Sequence, residues 1–193
     1  MFDTKEKEKP FEILCEYYNK IKAHKQIKNI IDTSINRKIP YKVAIGIYIM
    51  ETFYRPIYIR IVEYLLLVIG IFLNVIFKIP LRNITIGKLQ IGLGTILSYY
   101  GNVKIGMHDR YIYSLSINQI MFIFKAISWK YQLEILYWWY KIHGLNETPG
   151  KIGYLYNGEI IYGIMLQRLV NIIDYNNCES KVSLSNGNYR LGM

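Results

Sequence analysis

Glu51 stands at the end of an apolar run, Ala44-Ile45-Gly46-Ile47-Tyr48-Ile49-Met50, and is followed by a hydroxyl residue, Thr52. A carboxyl set among Ile47, Met50, Phe53 and Tyr54 is partly removed from water. Desolvation disfavours the charged form and raises the pKa. Such a group holds its proton near neutral pH and can pass it to a leaving oxygen, which is general acid chemistry. Two later segments also draw together polar and small residues. Thr85-Ile86-Gly87-Lys88-Leu89-Gln90-Ile91 carries a glycine that permits close backbone approach and an amide three residues on. Tyr154-Leu155-Tyr156-Asn157-Gly158 sets a hydroxyl and an amide before a glycine. Other chemistries are poorly supplied. Cys15 and Cys178 are too few for a disulfide framework or a thiolate-only zinc site, and His24, His108 and His143 lie far apart without metal-ligand spacing. No metal and no cofactor is expected.

The elements that must position these residues are mostly helical. Residues 11–33 carry Phe11, Leu14, Cys15, Tyr18, Ile21 and Ile27 broadly on one face, and Pro40 interrupts the pattern. A second helix is predicted over 41–51 and a third over 56–77, with Pro56 in its first turn. The third is apolar on most sides and is therefore expected at the centre of the fold. Its uninterrupted apolar run, 64–73, is ten residues, short of the roughly 20 that a membrane span needs. A buried core helix is the expectation, with no stable membrane span. Pro80, Asn83 and Gly87 mark a break, with a short extended piece over 83–86. Helices are then predicted over 88–100, from a cap at Ser116 through 125, over 133–142 and over 158–174. Residues 102–115 and 144–153 read as loops, and the Asn-, Ser- and Gly-rich tail from 175 as mobile or lying along the surface.

The expected fold is mostly α: a single domain of about seven helices with a central apolar helix and at most a small β element. Its parts are an N-terminal helical extension (1–40), the main domain (41–174) and a polar C-terminal tail (175–193). The 193 residues carry 24 Lys and Arg against 14 Asp and Glu, a formal charge of +10. Such a surface attracts polyanions: nucleic acid, anionic lipid or anionic wall polymer. The basic residues are spread out and no nucleic-acid motif is present, so nucleic acid is not an expected partner. With 52% hydrophobic residues, the chain is not intrinsically disordered over most of its length.

Taken in order, the three segments resemble the lysozyme-like superfamily, and within it the soluble lytic transglycosylases and goose-type lysozymes. That family reads as an apolar helix ending in Glu-Ser, then Gly-Leu-Met-Gln-(Ile/Val), then Ala-Tyr-Asn-(Ala/Gly)-Gly. Glu51-Thr52, Gly87-Lys88-Leu89-Gln90-Ile91 and Leu155-Tyr156-Asn157-Gly158 match in family order across 44–158. Lys88 replaces an apolar residue, and the 36 positions from Glu51 to Gly87 exceed the family's usual gap. The resemblance implies a lysozyme-like domain that cleaves the MurNAc–GlcNAc β-1,4 bonds of peptidoglycan. Glu51 is then the catalytic acid, with Thr52 beside it, and Tyr156 orients it. Gly87, Gln90 and Asn157 line the cleft, bonding the sugar amides or the backbone that shapes it.

A double-displacement lysozyme also needs a second carboxylate about 5 Å from the first. Asp109, in Gly106-Met107-His108-Asp109-Arg110, is the best loop candidate, but no second motif is recognisable. That favours the transglycosylase route, in which one glutamate acts as acid and then as base. The N-terminus lacks the basic start, apolar run and cleavage site of a signal peptide. The chain is therefore expected to be made in the cytoplasm and to reach the wall by release or through a delivery or secretion partner. Other readings stay open: Glu51 pairs with Arg55 or Lys42; Arg60 and Glu63 form a helix-spaced ion pair; the chain is a non-catalytic lysozyme-like binding, toxin or defence module; or it is a membrane-perturbing protein that uses 56–77.

Overall fold

The structure, a computed structural model, describes residues 14, 16–37, 40–54, 57–101 and 110–186, with side chains described at all of these except 54, 57 and 174–186. It is mostly helical, as expected. In chain order the elements are α1 (16–21), α2 (Lys25–Arg37), α3 (Tyr41–Tyr54), α4 (Ile57–Phe77), β1 (Leu81–Arg82), β2 (Thr85–Ile86), β3 (Ile91–Gly92), α5 (Leu93–Gly101), β4 (Tyr111–Ile112), α6 (Ile117–Ala126), α7 (Trp129–His143), α8 (Pro149–Asn157) and α9 (Ile160–Asn186). Two compact units divide them: Met1–Ile49 with Asn146–Met193, and Met50–Leu145.

In the first unit, α2 buries Ile27 and Ile30, and α3, which runs on into the second unit, is buried at every position from Val43 to Glu51. The segment 144–153, read from sequence as a loop, instead contains the start of α8. Thr148 caps it by accepting from the Lys151 N–H, and Pro149 takes the first helical turn. Of the glycines that suggested a loop, Gly153 serves helix packing. A Cβ on Gly153 would stand 2.8 Å from Gly163 Cα, and one on Gly163 would stand 2.4 Å from the Gly150 carbonyl oxygen. Helices α8 and α9 thus touch backbone to backbone. The predicted break at 175 also differs, since the α9 backbone stays helical to Asn186.

In the second unit, α5, α6 and α7 pack on one another around Leu93, Ile96, Ile123, Ile135 and Tyr137. Ser116 caps α6 as predicted, within a full capping box with Gln119. The β structure is small. β1 pairs antiparallel with β4 (Leu81 opposite Ile112) and β2 with β3 (Ile86 opposite Ile91). Residues 88–92, predicted as the start of a helix, form the end of a turn and a strand. Gly87 and Gln90 both take positive φ (81° and 50°), which closes a hairpin and excludes a right-handed helix.

Helix α4 is not the buried central helix predicted. Leu67, Ile71 and Asn74 are buried, while twelve large hydrophobic side chains from Tyr58 to Phe77 are 36–65% exposed. The reason is geometric. One stripe at i, i+3, i+4 and i+7 spacing meets β1 and β2, and nothing among the described residues covers the rest.

Gly163→Ala should cost roughly 2 kcal/mol or more, because its Cβ meets backbone that cannot yield. Gly158→Ala meets open space and should cost only about 1 kcal/mol, for its left-handed φ of 87°. Urea unfolding of the two variants measures the difference, and equal losses would contradict the backbone contact.

Candidate functional site

Glu51 lies in the last turn of α3 and is 6% exposed. Hydrophobic residues are buried around the helix up to that point, so the carboxyl is drawn in with them. Thr52 and Phe53 follow, half-buried. The Arg60 guanidinium, one turn into α4, donates to the Glu51 backbone carbonyl at 3.3 Å. This bond joins the C-terminal end of α3, where carbonyls lack helical partners, to the stripe of α4 that faces the hairpin.

The hairpin itself is built on two buried amides. Its loop is Gly87-Lys88-Leu89-Gln90, and Gln90 N–H donates to the Gly87 carbonyl at 3.3 Å. Gln90 is 5% exposed and sits in the left-handed region, which costs a non-glycine residue roughly 1 kcal/mol. Its side chain holds it there. Gln90 Oε1 accepts from Thr85 Oγ1 at 2.7 Å, and Gln90 Nε2 donates to the Gly87 carbonyl at 2.8 Å and to Glu63 Oε2 at 3.2 Å. From the other side comes Gln132 of α7, fully buried. Its Oε1 accepts from Leu89 N–H at 3.1 Å, and its Nε2 donates to the Ala126 carbonyl at 2.7 Å and the Ile86 carbonyl at 3.3 Å. Gly87 is required twice, by its φ and by space, since a Cβ there would lie 2.4 Å from the Gln132 amide.

Tyr64 completes the α4 side. Burial holds its hydroxyl above the ordinary tyrosine pKa, offset in part by the Arg60 guanidinium and by a hydrogen bond from the Gly87 backbone. Lys88, the departure from the family pattern, is the exposed residue of the loop, while Leu89 beside it is fully buried. A charge at position 88 therefore costs the hairpin nothing in desolvation.

The sequence-predicted residues fall in two groups. Glu51, Thr52, Gly87 and Gln90 belong to the second unit, and Gly87 and Gln90 are in direct contact. Tyr156 and Asn157 belong to the first unit and end α8. There Gly158 is the left-handed cap, Tyr156 is half-buried with its ring 6.3 Å from that of Tyr162, and Asn157 is exposed. Asp109 and Arg55 lie outside the described residues. Glu63 bonds Gln90, a contact that helix spacing to Arg60 does not reveal. Glu63, Thr85 and Gln132 were not legible as site residues. The available signal was the single carboxylate of a largely apolar helix and a glutamine inside an aromatic-rich one. Compared with family models, curated proteins and solved structures, the chain matches none.

Gln90→Gly and Gln90→Ala both delete the amide bonds, but only alanine keeps the left-handed cost. The glycine variant should therefore be the more stable by roughly 1 kcal/mol in urea unfolding. A more stable alanine variant would contradict the left-handed geometry.

Proposed function

We propose that the chain is a peptidoglycan-cleaving glycosidase of the lytic transglycosylase type, with Glu51 as its single acid and base. The observation that carries this reading is Glu51 itself, a carboxyl almost withdrawn from water at the end of an apolar helix. A protonated carboxyl in such a setting is the acid that glycosidic cleavage requires. The reading is also supported by the order of the three segments and by the hairpin, where a strained residue is held by buried polar contacts. Strain of this kind concentrates at working sites.

The proposed reaction runs in two steps. Glu51 gives its proton to the glycosidic oxygen as the bond to the muramoyl C1 breaks. The substrate's acetamido carbonyl stabilises the positive charge left at C1. The Glu51 carboxylate then takes the proton of the muramoyl 6-hydroxyl, whose oxygen bonds to C1. The product is a 1,6-anhydro sugar, no water is consumed, and Glu51 is protonated again. Gln90 acts in this scheme as a positioning residue, since its amide is committed to Thr85, Gly87 and Glu63. Tyr156 and Asn157 enter through the motif order alone, with the roles the family resemblance assigns them. The substrate is the glycan strand, and a delivery or secretion partner belongs to the same proposal.

Glu51→Gln preserves the shape of the side chain and removes the acid. It should lower the rate of sacculus solubilisation by roughly 10²–10⁴-fold with little change in thermal unfolding. Wild-type rates in a folded Glu51→Gln protein would overturn the assignment.

A further inference from the structure

Helix α4 has two faces of opposite chemistry. At 100° per residue, Arg60, Glu63, Tyr64, Leu67, Ile71 and Asn74 fall on one stripe. Every polar side chain between Ile59 and Phe77 is on that stripe, and each bonds within the unit. Glu63 accepts from Gln90. Asn74 Nδ2 donates to the carbonyls of Ile79, Ile112 and Tyr113, and its Oδ1 accepts from Leu115 N–H. The remaining arc, more than half the circumference, is exposed and wholly apolar from Ile59 onward, through Ile61, Leu65, Ile69, Phe72 and Ile76. Twelve large hydrophobic side chains at one-third to two-thirds exposure exceed the roughly 300–600 Å² patch of an ordinary monomer.

The surroundings of this arc say what would cover it. The helix is 21 residues, about 31 Å long at 1.5 Å per residue, and past Tyr58 in its first turn offers no polar group on the arc to give a protein partner register. Past the helix, Ile79 and Tyr113 are also exposed, and the Asn74 hydrogen bonds to their carbonyls hold them against the end of α4; Tyr111, next to Asn74-bonded Ile112, is exposed too. Tyrosines of this kind settle at the headgroup level of a bilayer. Lys78 and Arg82 are exposed just beyond the helix end. The sequence of the unit, 50–145, holds ten Lys and Arg against four Asp and Glu, which favours an anionic surface. By length and composition α4 could cross a membrane. Its polar stripe argues for lying flat, because burying the whole helix in lipid would tear Glu63 and Asn74 from their partners or carry the hairpin in with them.

We propose that α4 docks the protein on anionic phospholipid bilayers, its apolar arc sunk into the headgroup boundary and its axis along the surface. This goes beyond the glycosidase reading and does not depend on it.

The test is flotation of the purified full chain with phosphatidylcholine–phosphatidylglycerol vesicles and with pure phosphatidylcholine vesicles. Strong flotation is expected with the first, weakened by salt, and little with the second. Leu65→Gln with Phe72→Gln changes only exposed positions and should weaken binding at least tenfold, while Ile164→Gln, exposed in the other unit, should not. Phe72→Trp keeps the arc apolar and gives a second readout: its fluorescence should be quenched by lipids brominated near the headgroup. Absence of flotation with anionic vesicles overturns the proposal. So does a dimer that fails to float and that Leu65→Gln with Phe72→Gln dissociates, which assigns the arc to a second copy. Carbonate-resistant association with quenching only by lipids brominated at the chain ends overturns it in favour of a span.

Discussion

The hairpin loop 87–90 presents buried backbone groups that water cannot reach, and two glutamine side chains satisfy them. An unsatisfied buried donor or acceptor costs about 1–3 kcal/mol, so this requirement fixes much of the surrounding chain. Gln132 must come from inside α7, fully buried, to meet Leu89 and Ile86. Gln90 must turn left-handed to fold its amide back on Gly87. Glu63 must face the hairpin to take the remaining amide hydrogen, and that sets the rotation of α4 about its own axis. Once the stripe of α4 is turned inward for this reason, its opposite arc is necessarily turned out.

Helix α4 therefore couples two properties of the second unit. Its first turns fasten the end of α3, through Arg60 and the Glu51 carbonyl, and hold the hairpin through Glu63 and Tyr64. The same helix presents an apolar surface that a protein in water alone has no reason to keep. In the proposed function, this arrangement lets a wall-cleaving site sit beside a membrane while the polar groups that shape the site remain bonded within the protein.

Periodicity and capping chemistry made much of the helical architecture legible, as Ser116 and the apolar run before Glu51 illustrate. Where the reading failed, the residue types had a different use in three dimensions. Gly153 looked like loop punctuation but, with Gly163, permits the backbone contact between α8 and α9. Residues 88–92 look helical by composition, yet two positive φ angles make them a turn and a strand. The apolar character of α4 was plain, but hydrophobicity does not say whether protein or something else covers a face. Gly87 and Gln90 were legible as a pair from their motif. Glu63 and Gln132 were not, because their contacts join residues 27 and more than 40 positions apart.

Digestion of purified sacculi in water enriched in heavy oxygen, read by mass spectrometry, separates the two ways of breaking the glycan most directly. A transglycosylase with Glu51 as sole acid and base releases anhydro-muropeptides, lighter than their reducing counterparts by one water and free of the heavy isotope. Reducing-end products carrying heavy oxygen would contradict that chemistry and require a second, water-activating group.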